Sequence, residues 1–243
     1  MRHDAPGPDE VRMWWIEPEP PSADVGRQGR DPGSQGLDMA ALAPEEAALA
    51  PAEAARARQM TDPDARAAYV RRRGALRSLL GRCLDVPPRD VRLTVDAHGK
   101  PVLGDAAAPL AFSVSQATGT WAVIALCGSG PLGVDVESHD QAVDVTGLAR
   151  RFLPDLDLDG VPDDERPTAF WRAWTHYEAT LKAAGATLGH RPGPAATALA
   201  LTRPPAPRGH TVALVTARPP ATVTTRLYRA PTGRAPTCEG PLR

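Results

Sequence analysis

The sequence lacks several features that would place it at once in a familiar class. No run of apolar residues among its 243 approaches the roughly 20 that a membrane-spanning helix needs, and the start of the chain has no apolar signal-peptide core. Its three cysteines are widely spaced and form no Cys-x-x-Cys pair, so neither a disulfide framework nor a cysteine zinc site is indicated. We therefore expect a cytoplasmic protein with no membrane partner.

Several catalytic motifs are also missing. The chain has no P-loop, which argues against a nucleotide-hydrolysing fold of that type. It has no Gly-x-Ser-x-Gly nucleophile elbow, and its six histidines show no His-Glu-x-x-His spacing for zinc. The formal net charge is −1, so the overall charge does not favour nucleic acid as a partner, and we expect none.

Patterns of apolar residues predict an α+β fold. Alternation predicts strands, and spacing of three and four residues predicts helices. The order is strand, helices, strands, then helices and strands again. The predicted strands are Val11–Ile16, Val91–Val95, Pro109–Val114, Trp121–Leu126, Val134–Glu137, Thr211–Val215 and Thr222–Tyr228. The predicted helices are Pro44–Met60, Ala65–Cys83, Val145–Phe152 and Thr168–Ala184.

A pair of carboxylates is the first candidate site. Asp135 and Glu137 are two residues apart on a predicted strand, so both project from the same face, while Val134 and Val136 point to the other face. Two such carboxylates repel each other unless a cation or a base lies between them. Mg²⁺ prefers hard oxygen ligands of this kind. Glu178 can complete the site if its helix packs near this strand.

Plainer interpretations of the same residues stay open. An Asp-x-Glu pair on a strand is often only a solvated face. Glu178 and Lys182, four residues apart on a predicted helix, can be a surface ion pair worth about 0.3–0.5 kcal/mol. Each feature alone favours the plainer interpretation. Their occurrence together, with the residues around them, favours a site.

Two segments together carry a family resemblance. Gly133-Val-Asp-Val-Glu137, followed about forty residues later by Trp174-Thr-His-Tyr-Glu-Ala-Thr-Leu-Lys-Ala-Ala-Gly185, resembles the 4′-phosphopantetheinyl transferases, and most closely their large, surfactin-synthetase-activating (Sfp-type) class. Weaker matches stand in the expected order over roughly residues 11 to 216: the turn Gly99-Lys100-Pro101, the segment Phe112-Ser-Val-Ser115, and the helix from Arg73 to Gly81.

The resemblance implies two pseudo-symmetric α+β halves, residues 1–114 and 115–229, with coenzyme A in the cleft between them and the metal site in the second half. Composition predicts a flexible insertion at 20–36, which is rich in Pro, Gly and Ser, and a disordered tail at 230–243. Since both halves lie in one chain, we expect a monomer.

The resemblance also implies residue roles. Asp135, Glu137 and Glu178 would be ligands of Mg²⁺, with Mn²⁺ as the alternative ion, and Glu178 and Lys182 would be catalytic. Coenzyme A would be bound by Arg77 and Ser115 near its 3′-phosphate, and by Lys100 and Pro101 near its adenine.

Two positions depart from the family pattern. Gln116 stands where the family usually has a histidine, and Tyr177 stands where it usually has a lysine. The Gln116 amide can still hydrogen-bond a phosphate of coenzyme A, but it adds no positive charge.

The implied activity is transfer of the 4′-phosphopantetheine of coenzyme A to a serine of an acyl or peptidyl carrier protein, with release of 3′,5′-ADP. Because of Gln116 and Tyr177, the alternative is a catalytically weak or inactive relative that binds coenzyme A or a carrier protein. A third interpretation is an unrelated metal-dependent phosphohydrolase that uses the same three acids.

Overall fold

The structure, a computed structural model, describes residues 5–18, 43–96, 99–105, 108, 110–118, 120–128, 130–140, 143–189 and 198–230. The predicted insertion at 20–36 and all but the first residue of the predicted tail lie outside these described residues.

Helices and strands both contribute, which confirms the predicted α+β class. The helices are α1 Ala43–Ala48, α2 Pro51–Gln59, α3 Pro63–Leu84, α4 Val145–Phe152 and α5 Arg166–Ala184, with a short 3₁₀ turn at Pro88–Asp90. The strands are β1 Glu10–Ile16, β2 Leu93–Val95, β3 Pro101–Leu103, β4 Ala111–Gln116, β5 Ala122–Cys127, β6 Leu132–Ser138, β7 Ala200–Thr202, β8 His210–Thr216 and β9 Thr222–Leu227. Among the described residues, no helix is both long and apolar enough to cross a lipid bilayer.

The described residues form two compact units. The first is drawn from Ile16–Val91 and resumes at Tyr228, and it contains α1, α2 and α3. The second is drawn from Ala5–Trp15 and Arg92–Leu227, and it contains the sheets together with α4 and α5. The division of the family fold into halves at residues 114 and 115 stays a prediction.

The helical unit corrects one prediction. The single helix predicted over residues 44–60 is two helices, α1 and α2, and the second begins at Pro51. Proline has no amide hydrogen, and its ring clashes with the carbonyl four residues earlier, so a helix can begin there but cannot run through it. The Glu53 carboxylate caps the new helix by accepting from the amide of Ala50 at 3.0 Å.

Two sheets of the second unit pack face to face. One has the order β4-β5-β1-β9, in which β1 and β9 run parallel, and the other has the order β6-β8-β7. Their shared core contains Met13 and Trp15 from β1, Val134 and Val136 from β6, and Leu214 from β8. The predicted inward direction of the two β6 valines is therefore confirmed.

The outer face of the β6-β8-β7 sheet carries helix α5. Ala179 of this helix packs with Ala213 and Val215 of β8 in a small apolar cluster. Small side chains in the contact let the helix approach the sheet closely. The second unit is therefore layered as helix, three-stranded sheet and four-stranded sheet.

Two short strands were not predicted. β3 and β7 are three residues long each, and β3 pairs with β2 in a separate two-stranded ribbon. Three residues are too few to show the alternation from which a strand is predicted.

Candidate functional site

Strand β6 and helix α5 bring the three predicted acids together. Ligand oxygens from Asp135, Glu137 and Glu178 all lie within 4.8 Å of one another. Asp135 is 1% exposed, and the two glutamates are half-buried. The condition stated from the sequence, that the helix of Glu178 packs near the strand, is met.

A glycine makes this approach of helix and strand possible. Gly133 lies on the same face of β6 as Asp135 and Glu137, since all three alternate along the strand. A Cβ atom at position 133 would lie 1.8 Å from the carbonyl oxygen of Ala179 and 2.7 Å from the amide nitrogen of Ala183. Only glycine fits here, because the obstruction is helix backbone.

A lysine and a serine hold one oxygen of the buried aspartate. The ammonium of Lys182 lies 2.6 Å from Oδ1 of Asp135, and the hydroxyl of Ser115 donates to the same oxygen at 2.7 Å. The Lys182 ammonium also donates to the Ser115 hydroxyl at 2.9 Å and to the carbonyl of Val134 at 3.2 Å. Lys182 is therefore not the plain surface ion pair with Glu178 that the sequence left open.

The second oxygen of Asp135 is differently placed. Oδ2 is buried, and when Glu178 is ionised no residue in the described part of the chain donates a hydrogen bond to it. Buried polar atoms in proteins are nearly always paired, so an unpaired carboxylate oxygen beside two further carboxylates marks a place for a cation.

Burial and the neighbouring carboxylates also change the pKa of Glu178. Burial, and then the negative charge of Asp135, raise the pKa of Glu178 to about 7 in the metal-free chain; Glu137 adds to this effect and Lys182 opposes it. A proton on Glu178 can be shared with Asp135, and this hydrogen bond also raises the pKa. In the metal-free chain, this proton reduces the repulsion between the carboxylates, as a bound cation would.

The donor set fits a hard divalent cation. Three carboxylates on two rigid elements offer oxygen ligands and no sulfur or imidazole, which suits Mg²⁺ or Mn²⁺ better than softer metals. The acids of this group can therefore hold a divalent metal ion.

Lys100 lies at the end of helix α5. Its ammonium donates to the carbonyl oxygen of Lys182 at 2.5 Å, in the last turn of the helix, where this carbonyl also accepts from the amide of Gly185 at 3.4 Å. The turn before it is tight: Asp96 accepts from the amide of Lys100 at 2.9 Å, and Gly99 has a φ of +77°. Burial, with a smaller contribution from the charge of Lys182, lowers the pKa of Lys100. Pro101 follows as the first residue of β3.

Arg77 belongs to the helical unit. It is 3% exposed; its Nε pairs with the carboxylate of Glu53, and its Nη1 donates to the carbonyl of Val91 at 2.9 Å. Nη1 also donates to the carbonyl oxygens of Pro88 and Arg89. These contacts hold α2, α3 and the 3₁₀ turn together, and a role at the 3′-phosphate stays a prediction.

Gln116 and Tyr177, the two departures from the family pattern, both lie at half-buried positions. Gln116 is half-buried at the end of β4, where it pairs with Ala122 of β5. Tyr177 is half-buried, and its ring lies 6.1 Å from that of Trp174.

Sequence reasoning missed two contacts of the site. It placed Ser115 and Lys100 near coenzyme A, which stays a prediction, and it did not predict that their side chains contact Asp135 and the Lys182 carbonyl. These contacts join residues 20 and 82 positions apart in the chain. The spacing of residues within one helix or strand cannot predict a contact between residues so far apart in the chain.

The fold and the site thus define an α+β protein with an acidic group for a divalent cation beside a lysine. Residues 131–225, which include all three acids and Lys182, match the model of the 4′-phosphopantetheinyl transferase superfamily. This segment of the chain is therefore similar to that superfamily, which supports the resemblance. Membership of the large Sfp-type class stays a prediction.

Two curated relatives whose names refer to the same family are also similar to this chain. The chain is 36% identical over 138 residues to the 4′-phosphopantetheinyl transferase HetI of Nostoc sp. (strain PCC 7120 / SAG 25.82 / UTEX 2576), over 54% of this chain and 56% of HetI. It is 31% identical over 126 residues to the putative 4′-phosphopantetheinyl transferase slr0495 of Synechocystis sp. (strain ATCC 27184 / PCC 6803 / Kazusa), over 51% of each chain. The chain spans about half the length of the curated relatives it matches.

Proposed function

We propose that this chain transfers the 4′-phosphopantetheine arm of coenzyme A to a serine hydroxyl of an acyl or peptidyl carrier protein and releases 3′,5′-ADP. The observation that carries the proposal is the acidic group Asp135, Glu137 and Glu178 beside Lys182, within the segment that matches the superfamily. The name of HetI supports the same activity.

The three carboxylates would hold Mg²⁺, with Mn²⁺ as the alternative. When bound, such a cation neutralises negative charge on the pyrophosphate of coenzyme A. Asp135 would offer its unpaired Oδ2 as a ligand, because Oδ1 is already bonded to Ser115 and Lys182.

Glu178 and Lys182 would act on the reacting groups. A carboxylate within reach of the carrier serine hydroxyl can accept its proton as the oxygen attacks the β-phosphate, and Glu178 is the proposed acceptor. The Lys182 ammonium adds fixed positive charge from its place beside Asp135, which favours a transition state that carries negative charge on phosphate oxygens.

The remaining roles belong to the same proposal. Lys100 and Pro101 would contact the adenine of coenzyme A, Arg77 its 3′-phosphate, and Gln116 a phosphate oxygen through its amide. The active form would be a cytoplasmic monomer.

Release of 3′,5′-ADP tests the reaction directly. We expect chromatography to detect it only when coenzyme A, an apo carrier protein and a divalent cation are all present. Release of phosphate products without a carrier protein would instead indicate a metal-dependent phosphohydrolase.

Gln116 and Tyr177 favour a second candidate, a weak or inactive relative that binds coenzyme A or a carrier protein. Neither side chain supplies the positive charge that the family usually has at its position. Binding of coenzyme A by the folded protein without release of 3′,5′-ADP would support this candidate. Gln116→His and Tyr177→Lys would then be the first variants to test for restored turnover.

A further inference from the structure

The hydroxyl of Ser115 makes two hydrogen bonds within the site. It donates its hydrogen to Oδ1 of Asp135 at 2.7 Å and accepts from the ammonium of Lys182 at 2.9 Å. Ser115 itself is buried, with 8% of its surface exposed. Because the lysine supplies the hydrogen that the hydroxyl accepts, the hydroxyl hydrogen is directed at the aspartate.

The two oxygens of Asp135 therefore differ. Oδ1 receives two donors, and Oδ2, which is buried, receives none from the described residues when Glu178 is ionised. A carboxylate held this way cannot rotate without breaking both bonds. Oδ2 is then the oxygen of Asp135 left available to the acidic group, in which ligand oxygens of Asp135, Glu137 and Glu178 lie within 4.8 Å of one another.

We propose that Ser115 is a positioning residue for the metal: its hydroxyl fixes the rotation of Asp135 and presents Oδ2 to the cation. The inference rests on the proposed function, since it assumes a metal site at these acids. It replaces direct contact with the 3′-phosphate of coenzyme A as the main role of this serine. Partners that orient a metal ligand in this way change metal affinity by about 10–100-fold when they are removed.

The chain offers a matched control two residues earlier on the same strand. Ser113 is also buried, at 1% exposed, and its hydroxyl accepts from the amide of Val134 at 3.0 Å. It thus joins β4 to β6 one residue away from Asp135 without touching the carboxylate. Ser113→Ala reproduces any general loosening of the contact between the two strands.

Binding of Mn²⁺ to the protein without coenzyme A, followed by electron paramagnetic resonance, tests the inference. We expect Ser115→Ala to weaken Mn²⁺ binding about tenfold, at the lower end of the effect of such partners. We expect Ser113→Ala to stay close to wild type, and Ser115→Thr, which keeps a hydroxyl on a strand, to restore most of the affinity. Wild-type Mn²⁺ affinity in folded Ser115→Ala would overturn the inference.

The rival role of Ser115 gives a different signature. If its hydroxyl binds the 3′-phosphate, Ser115→Ala weakens binding of coenzyme A but not of 3′-dephospho-coenzyme A, and Mn²⁺ binding in the absence of either is unchanged. We expect the opposite: a similar effect on both compounds, through the metal. A loss specific to the 3′-phosphate with normal Mn²⁺ affinity would contradict the positioning role.

The failure of this inference can be told apart from the failure of the proposed function. A wild-type chain that binds Mn²⁺, weakened in Ser115→Ala, but modifies no carrier protein would retain the positioning role and reject the transferase. Turnover of carrier protein, with equal Mn²⁺ affinity in the wild-type chain and in Ser115→Ala, would retain the transferase and reject the positioning role.

Discussion

Glu178 keeps a proton up to about neutral pH in the metal-free chain, because burial and the charge of Asp135 raise its pKa to about 7. A cation that binds the carboxylates must displace this proton. The ionised fraction of a group with this pKa rises from about a tenth at pH 6 to about nine tenths at pH 8. We therefore expect Mg²⁺ affinity, measured by calorimetry, to increase about tenfold over that interval. The same affinity at pH 6 and pH 8 would contradict the assignment.

The same proton affects stability in the opposite direction. The pKa of Glu178 in the folded chain lies above its usual 4.5, so the native state binds the proton more tightly than the unfolded state does. Protonated Glu178 costs the fold little below pH 4.5, and ionisation destabilises it as pH rises toward 7. We expect the Tm of the metal-free chain to decrease over this range through this group. Glu178→Gln, which has no proton to lose, serves as the control and should show a smaller decrease.

Lys182 balances the charge of an aspartate that is almost fully buried. Lys182→Met keeps the length of the side chain and removes the ammonium, which leaves Asp135 with one donor and no counter-charge. Loss of one partner of a buried pair costs about 3 kcal/mol, and we expect chemical denaturation without metal to show a loss of this order. Mg²⁺ should restore part of it, since the cation supplies positive charge at the same carboxylate. An unchanged free energy of unfolding would show that the ion pair contributes little.

At the scale of elements, Gly133 decides whether α5 can lie on β6. Gly133→Ala would place a Cβ atom 1.8 Å from the carbonyl oxygen of Ala179, and this backbone cannot move aside without displacing the helix. We expect a loss of about 3 kcal/mol or more in the free energy of unfolding, together with loss of Mn²⁺ binding. Gly104→Ala is the matched control, because its Cβ would meet atoms no closer than 3.4 Å. Equal stability of the two variants would contradict the close packing described here.

The sequence predicts the elements to the extent that their patterns are long or strongly marked. Helix α4 has the predicted bounds, and α5 differs only by its first two residues, since Pro167 and Gly185 mark its ends. The break at Pro51 was overlooked because the alanine-rich composition on both sides favours helix. β3 and β7 lie in segments too short for any pattern. The elements that hold the acids were thus predicted, and the error fell on elements elsewhere.

Contacts between elements were predicted less well than the elements themselves. The convergence of the acids could be predicted, because the period of two on β6 and the family motif on α5 both pointed to these residues. The Ser115 hydroxyl reaches Asp135 from the neighbouring sheet, and Lys100 reaches α5 from the β2–β3 ribbon. Both are polar side chains whose partners depend on how the sheets pack, and packing is not encoded in local spacing.

At the scale of the whole molecule, the superfamily match and the acidic group fall within the same unit. The matched residues 131–225 include β6, α5 and β8, the elements that build the acidic group and its support. The residues outside this match include the helical unit, in which Arg77 is engaged with Glu53 and backbone carbonyls. The acids and Lys182, to which we assign the proposed chemistry, therefore all lie in the matched segment.

The most direct test of the proposed transfer is the intact mass of an apo carrier protein after incubation with this protein, coenzyme A and Mg²⁺. We predict a gain equal to one phosphopantetheine, abolished by EDTA and almost wholly lost in Glu178→Ala. Folded protein that binds coenzyme A yet leaves both acyl and peptidyl carriers at their original mass would contradict the transferase and favour the inactive relative.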